Sequence, residues 1–229
     1  MKIVLINGTD LPGTTYRYAH QLALLLGGEL TEFFLPKDFH ENCFGCTACL
    51  YKSETLCPHY SKLAPITKAI DEADVLIFAS PTYVYHVTGA MKSLLDHYAY
   101  RFMLHRPVPS DFHKIGVAIS TCAGGGAKET CQDIIDSFYH WGIAKTYALP
   151  FVVRSSHYDQ IPAALQKKAM RKIGRTAKQI LRHPHPKPGM KTKSFFFLAK
   201  KIHASTPTWA EADLDYWAKQ GWDRSSHPW

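Results

Sequence analysis

The chain has 229 residues, 46% of them hydrophobic and 20% charged, with a formal net charge of +8 at pH 7. That length and composition support a globular core and exclude a disordered chain, and no apolar run approaches the roughly 18 residues of a membrane span. The basic balance suits anions such as phosphorylated cofactors, but the sequence shows neither a continuous basic stripe nor a binding motif, so no nucleic-acid or membrane partner is expected.

The N-terminal MKIVLINGTD has no cleavable signal and reads as a buried strand over Lys2–Asn7 followed by a turn-rich loop at 8–13. A cytoplasmic location is therefore expected, where structural disulfides are rare. Thr14–Leu26 reads as a helix with Tyr18, Leu22, Leu25 and Leu26 near one face. GELTEFFL, 28–35, suits a second strand, and 38–60 a long loop holding four cysteines. Residues 61–73 read as a helix capped by Ser61. DVLIFAS, 74–80, is apolar without alternation, as a strand buried on both faces should be. A loop at 81–87 and a helix at 88–101 follow, then a fourth strand, KIGVAIST, at 114–121. The glycine-rich CAGGGAKE leads into a helix reaching about Trp141, then a fifth strand at 144–153 and a long basic helix at 160–181.

Strands alternating with helices predict βαβ units and a parallel sheet covered on both faces. Five such units suit an α/β, doubly wound sheet of order 2-1-3-4-5, with ligands bound beyond the carboxyl ends of the strands. This domain is assigned to residues 1–181. Residues 182–229 form an extension that opens with the breaker RHPHPKPG and continues rich in Phe and Trp, including Trp209, Tyr216, Trp217 and Trp222. These aromatic residues are expected to pack on the chain's own domain or on a second subunit. His183 and His185 are placed in a solvated linker, and His20, His86 and His97 show no ligand spacing.

Three loops are expected at the same edge. NGTDLPGTTYR opens a helix whose free N–H groups favour a phosphate, with Thr9, Gly13, Thr14 and Thr15 as donors, although an ordinary cap by Thr14 needs no ligand. ASPTYVYHVTG carries Tyr83 and Tyr85 and can line a flat ring, or be only a rigid turn. STCAGGGAKET lets backbone approach a ligand closely, or is a loose connection. Together the three describe a site for flavin mononucleotide (FMN).

At NGTDLPGTTY, the cysteine loop, ADVLIFASPTYVYHVTGAMKSLLD, STCAGGG and DLDYWAKQGW the sequence resembles the flavodoxin-like NAD(P)H-dependent FMN reductases, and within them the iron–sulfur flavoprotein branch. The resemblance spans nearly the whole chain. It implies phosphate contacts at Thr9, Gly13, Thr14 and Thr15, and isoalloxazine contacts at Pro81, Thr82, Tyr83, Val84, Thr121, Ala123, Gly124 and Gly125. It also implies a homodimer or higher homo-oligomer. Two positions depart from the family. Thr9-Asp10-Leu11-Pro12 replaces the usual Ser-Pro-Arg, setting an acid beside the expected phosphate, and Asp96-His97 replaces a frequent Asp-Arg.

The cysteine spacing is Cys43-x2-Cys46-x2-Cys49-x7-Cys57, followed by Pro58. Three thiolates in series with a remote fourth is how four-iron clusters are held, and the iron–sulfur flavoproteins share the longer last gap. A zinc ion on the four thiolates, or cysteines that hold nothing, are the competing readings. Cys122 and Cys131 read as packing residues. The function expected is an FMN-dependent oxidoreductase that passes hydride from NADH or NADPH to flavin and then to a small acceptor such as a quinone. The alternatives are an iron–sulfur flavoprotein electron carrier and a non-catalytic protein that has lost flavin. No side chain is assigned as a general acid or base.

Overall fold

Long apolar runs without alternation become the centre of a parallel sheet. The computed structural model describes residues 1–205, 211–223 and 226–229. Strands β1 (Lys2–Asn7), β2 (Glu29–Phe34), β3 (Val75–Ala79), β4 (Ile115–Cys122) and β5 (Lys145–Val152) form one sheet of order β2-β1-β3-β4-β5. All pairs are parallel. Every residue of β3 and β4 is buried, which explains their unbroken hydrophobicity.

Successive side chains serve opposite faces. Ile3, Leu5, Val75, Ile77, Val117 and Ile119 pack under α1 (Thr14–Leu26) and α6 (Ala163–Arg182). Val4, Ile6, Leu76, Phe78 and Ala118 pack under α3 (Tyr60–Glu72), α4 (Gly89–Asp96) and α5 (Ala127–Trp141). The chain steps from β1 out to β2, then crosses back to β3 on β1's other side. The strand order therefore reverses between β1 and β3, and the loops after both open at that point.

Three local expectations change. Ser61 does not cap α3; the helix begins at Tyr60, with His59 at the cap position making no side-chain cap bond. The helix expected to reach Arg101 ends at Asp96. Beyond it Arg101 is buried and pairs with Asp71 at 2.7 Å and Asp111 at 3.7 Å, and the chain turns through Met103 at φ 49°. Tying Arg101 to two carboxylates on other elements outweighs the local helical preference. The cysteine loop also holds a short helix, α2 (Ala48–Tyr51).

The extension forms α7 (Met190–Ser205) and α8 (Glu211–Lys219). Phe196, Ala199, Trp217 and Trp222 make a third apolar cluster with Leu104 and Phe112, so the arm packs on the chain's own α4–β4 connection. Trp217 Nε1 donates to the His105 carbonyl at 2.8 Å and the Tyr216 hydroxyl to that of Pro107 at 2.5 Å. Trp209 lies outside the described residues. His183 and His185 are exposed between α6 and α7. No helix among the described residues is long and apolar enough to cross a membrane.

Candidate active site at the carboxyl edge of the sheet

The loop after β1 is locked to the loop after β3. Gly8 N donates to the Ala79 carbonyl at 2.7 Å and Thr88 Oγ1 to the Gly8 carbonyl at 2.7 Å. A Cβ at Gly8 would lie 2.8 Å from Thr88 Oγ1, so only glycine allows this approach. Gly13 occupies the cap position of α1 with no side-chain cap bond, and no acid stands in the first turn. The first-turn N–H groups are therefore not capped by the chain, and the dipole end is not neutralised. The Asp10 carboxylate accepts from Lys37 N at 2.8 Å, which gives it a partner within the chain.

The loops after β3 and β4 are stacked. Thr82 N donates to the Thr121 carbonyl at 3.0 Å, and Thr82 Oγ1 lies 3.1 Å from Ser120 Oγ. Thr15 Oγ1 and Thr121 Oγ1 are 2.6 Å apart and buried, joining α1 to β4. Gly126, at φ +94°, holds the glycine loop against its neighbour; a Cβ there would lie 2.6 Å from Thr82 Cγ2 and 3.0 Å from Tyr85 Cα. Tyr83 and His86 close a two-residue hairpin with Val84 at φ 49° and Tyr85 at φ 68°. Positive φ at both central positions is the primed turn that usually takes Asn or Gly. Here a β-branched valine takes it and stands 93% exposed.

Between these loops lies a cleft of about 420 Å³. Thr9, Gly13, Thr14, Thr15, Pro81, Thr82, Tyr83, Thr121 and Ala123 line it. Val84, Gly124 and Gly125 do not, while Leu11, Tyr16, Cys122, Val153, Ser155 and Ser156 do. Cys122 is thus a wall residue as well as a buried one. Ser155 and Ser156 follow β5, whose carboxyl end opens on the same edge, so the topology alone could have found them. A larger hollow of about 620 Å³ lies between α4 and α5, but it is lined by Asp96, Asp133 and Asp136, which disfavour a phosphorylated ligand.

The four loop cysteines border one small hollow, together with His59 and His97. Cys43 and Cys46 are exposed, Cys49 and Cys57 half-buried, and all are free thiols. Burial pushes the Cys49 thiol up, and the neighbouring thiols of Cys57, Cys43 and Cys46 push it further.

The loop is held from behind. Arg106 donates to the carbonyl oxygens of Leu50, at 3.1 Å, and Cys49. The same guanidinium pairs with buried Asp213 of α8, which also lies 2.6 Å from His105 Nδ1. An arm residue thus braces the cysteine loop through Arg106. The sequence hid this contact because Arg106 and Asp213 stand 107 positions apart.

Residues 1–157 match the family model for NADPH-dependent FMN reductase. The chain belongs to that family. It is 33% identical over 147 residues to an iron–sulfur flavoprotein of Methanocaldococcus jannaschii, covering 60% of this chain and 72% of that protein. It is 32% identical over 113 residues to one from Archaeoglobus fulgidus, covering 48% of this chain and 49% of that protein. These relatives place it on the iron–sulfur flavoprotein branch. Among solved structures, a flavone reductase aligns with TM-score 0.57 at 15% identity, covering 82% of this chain and 66% of the other. An azoreductase from Bacillus anthracis aligns with TM-score 0.59 at 10% identity, covering 78% and 99%. Those two likenesses establish the flavodoxin-like fold.

Proposed function

We propose that this protein binds FMN in the cleft between the loops after β1, β3 and β4 and acts as an FMN-dependent oxidoreductase. In this reading NADH or NADPH reduces the flavin and a small acceptor such as a quinone or free flavin oxidises it. The observation that carries the reading is the uncapped amino end of α1 opening onto a cleft of suitable size, about 420 Å³.

The residues fit the group. The Gly13, Thr14 and Thr15 amides and the Thr9 and Thr14 hydroxyls would hold the phosphate. Pro81, Thr82 and Tyr83 on one loop, and Thr121 and Ala123 on the other, would flank the ring, with Val84, Gly124 and Gly125 further out. The Thr82–Thr121 and Thr82–Ser120 bonds fix the spacing between those two walls. Tyr83 would stand at the ring's edge and shield it from water. Bound flavin supplies the hydride and one-electron chemistry, so no side chain is assigned as acid or base. A homodimer or higher homo-oligomer belongs to the same reading and rests on the family resemblance.

The shared hollow of Cys43, Cys46, Cys49 and Cys57 supports a second reading, in which these thiolates hold a four-iron cluster and the protein is an electron carrier. Anaerobic purification with flavin, iron and sulfide quantified per chain separates the two. At 100 times its dissociation constant, FMN stabilises by about 2.7 kcal/mol, roughly 5–10 °C in Tm for a chain of this size. FMN should bind at least tenfold more tightly than riboflavin, since only FMN carries the phosphate. No flavin in the purified protein and no shift on adding FMN would instead favour a fold that has lost its cofactor.

A further inference from the structure

The flavin cleft does not end at the start of α1. Tyr16 borders that cleft and also a second hollow, of about 390 Å³, that runs along the first turns of the helix. Tyr16, Arg17 and His20 form one wall of this hollow, and Tyr158 and Met170 the other. The opposite side of the cleft leads the same way, since Ser155 and Ser156 line the cleft and Tyr158 follows closely in the chain.

Both walls are held from behind. Ser155 Oγ accepts from His157 N at 3.0 Å and donates to the His157 carbonyl at 2.9 Å, which fixes the turn before Tyr158. Gln166 Nε2 donates to the Tyr158 carbonyl at 3.0 Å, and the Tyr158 ring stands edge-on to the buried Tyr18 ring, with centroids 6.1 Å apart. Across the hollow, Tyr16 stacks on His20 at 5.4 Å. The Arg17 guanidinium lies over the Tyr158 ring, 4.9 Å from its centroid, and among the described residues it pairs with no carboxylate. Arg17 N donates to the Gly13 carbonyl at 3.0 Å, so this cation stands one helical turn from the uncapped amides. Half-buried rings accept a base by stacking, and an arginine without a carboxylate partner accepts a phosphate.

We propose that the cleft accepts flavin adenine dinucleotide (FAD) as well as FMN, with the adenosine phosphate half of FAD in this second hollow. The inference rests on the flavin reading above. The first phosphate would stay at the Gly13, Thr14 and Thr15 amides. The second would fall to Arg17, which is exposed and can leave the Tyr158 face, and the adenine to the Tyr158 and His20 rings. The same adenosine phosphate unit occurs in NADH and NADPH. Hydride transfer, however, sets the nicotinamide against the flavin ring, whereas this hollow opens at the phosphate end.

The test titrates flavin-free full-length protein with FMN and with FAD, followed by flavin fluorescence. The expected result is FAD bound at least as tightly as FMN. Arg17→Met and Tyr158→Leu should each weaken FAD roughly fivefold and leave FMN within about twofold. Thermal melts confirm that each variant folds, and Arg17→Met, at an exposed position, serves if Tyr158→Leu does not. FAD bound more weakly than FMN, or FAD affinity unchanged in folded Arg17→Met, overturns the inference and leaves the FMN reading standing. With FAD affinity unchanged, a raised KM for NADH or NADPH in Arg17→Met would assign the hollow to the nicotinamide dinucleotide, which also overturns it. Binding of neither flavin overturns both.

Discussion

Asp213→Asn removes one charge at the point where the arm meets the cysteine loop. Asp213 is 1% exposed and Arg106 6%. With the carboxylate gone, the buried guanidinium keeps the Cys49 and Leu50 carbonyls and, among the described residues, only Glu54, at 3.9 Å, as a counter-charge. Breaking a buried pair by removing one partner costs about 3–5 kcal/mol, because the remaining charge stays desolvated. For a chain of this size that is on the order of 10 °C in Tm. Urea unfolding followed by tryptophan fluorescence reads the loss, since Trp217 and Trp222 lie in the arm's core. A second readout is the rate at which Cys49 reacts with a disulfide reagent. It should rise, because Arg106, no longer anchored by Asp213, holds the Cys49 and Leu50 carbonyls at α2 less firmly. Arg106→Met combined with Asp213→Leu, which removes both charges, should recover most of the stability. A loss below about 1 kcal/mol, or arm destabilisation with unchanged Cys49 reactivity, refutes the coupling of arm and loop.

Gly126→Ala should cost roughly 2–3 kcal/mol, from the left-handed backbone and the close approach to Thr82, and should weaken FMN binding severalfold by fluorescence titration. Val84→Asn should instead stabilise by about 0.5–1 kcal/mol in thermal melts, since asparagine accepts the primed turn that valine resists. Stability should fall as pH drops from 7 to 5. Burial holds His140 and His203 below the ordinary histidine range in the folded state, more strongly than the opposing pull of Asp136 and of Asp213; Lys191 and His105 add to the lowering. The unfolded chain takes up these protons near pH 6.5 while the folded chain resists them, so stability rises with pH through this window. His203→Gln should flatten the profile measured by urea unfolding, and an unchanged slope would contradict the assignment.

Much of the sheet and its active edge could be read from the order of residues, because the governing interactions are local or follow from chain topology. VLIFA and IGVAIST lack alternation because both faces of a central parallel strand are covered. Alternation of strand and helix predicts parallel pairing, and the known strand order of such folds puts the loops bearing Thr14, Thr82 and Thr121 at one edge. The glycine turn before Thr14 marks the start of α1 correctly. What sequence reading missed depends on contacts between distant segments. The helix expected to reach Arg101 stops at Asp96, where partners on other elements draw Arg101 inward. The arm's helices show no clean period, since Phe195, Phe196 and Phe197 are adjacent and only packing selects Phe196 for burial. The pairing of His97 with His59 is invisible in sequence because they stand 38 positions apart, and only the fold brings the cap of α3 to the end of α4 and sets their nitrogens 2.8 Å apart. Patterning along the chain thus determined the layers and the phosphate-favouring turn. The pairing of buried charges and imidazoles, whose energies depend on which groups leave water together, was decided only by the tertiary structure.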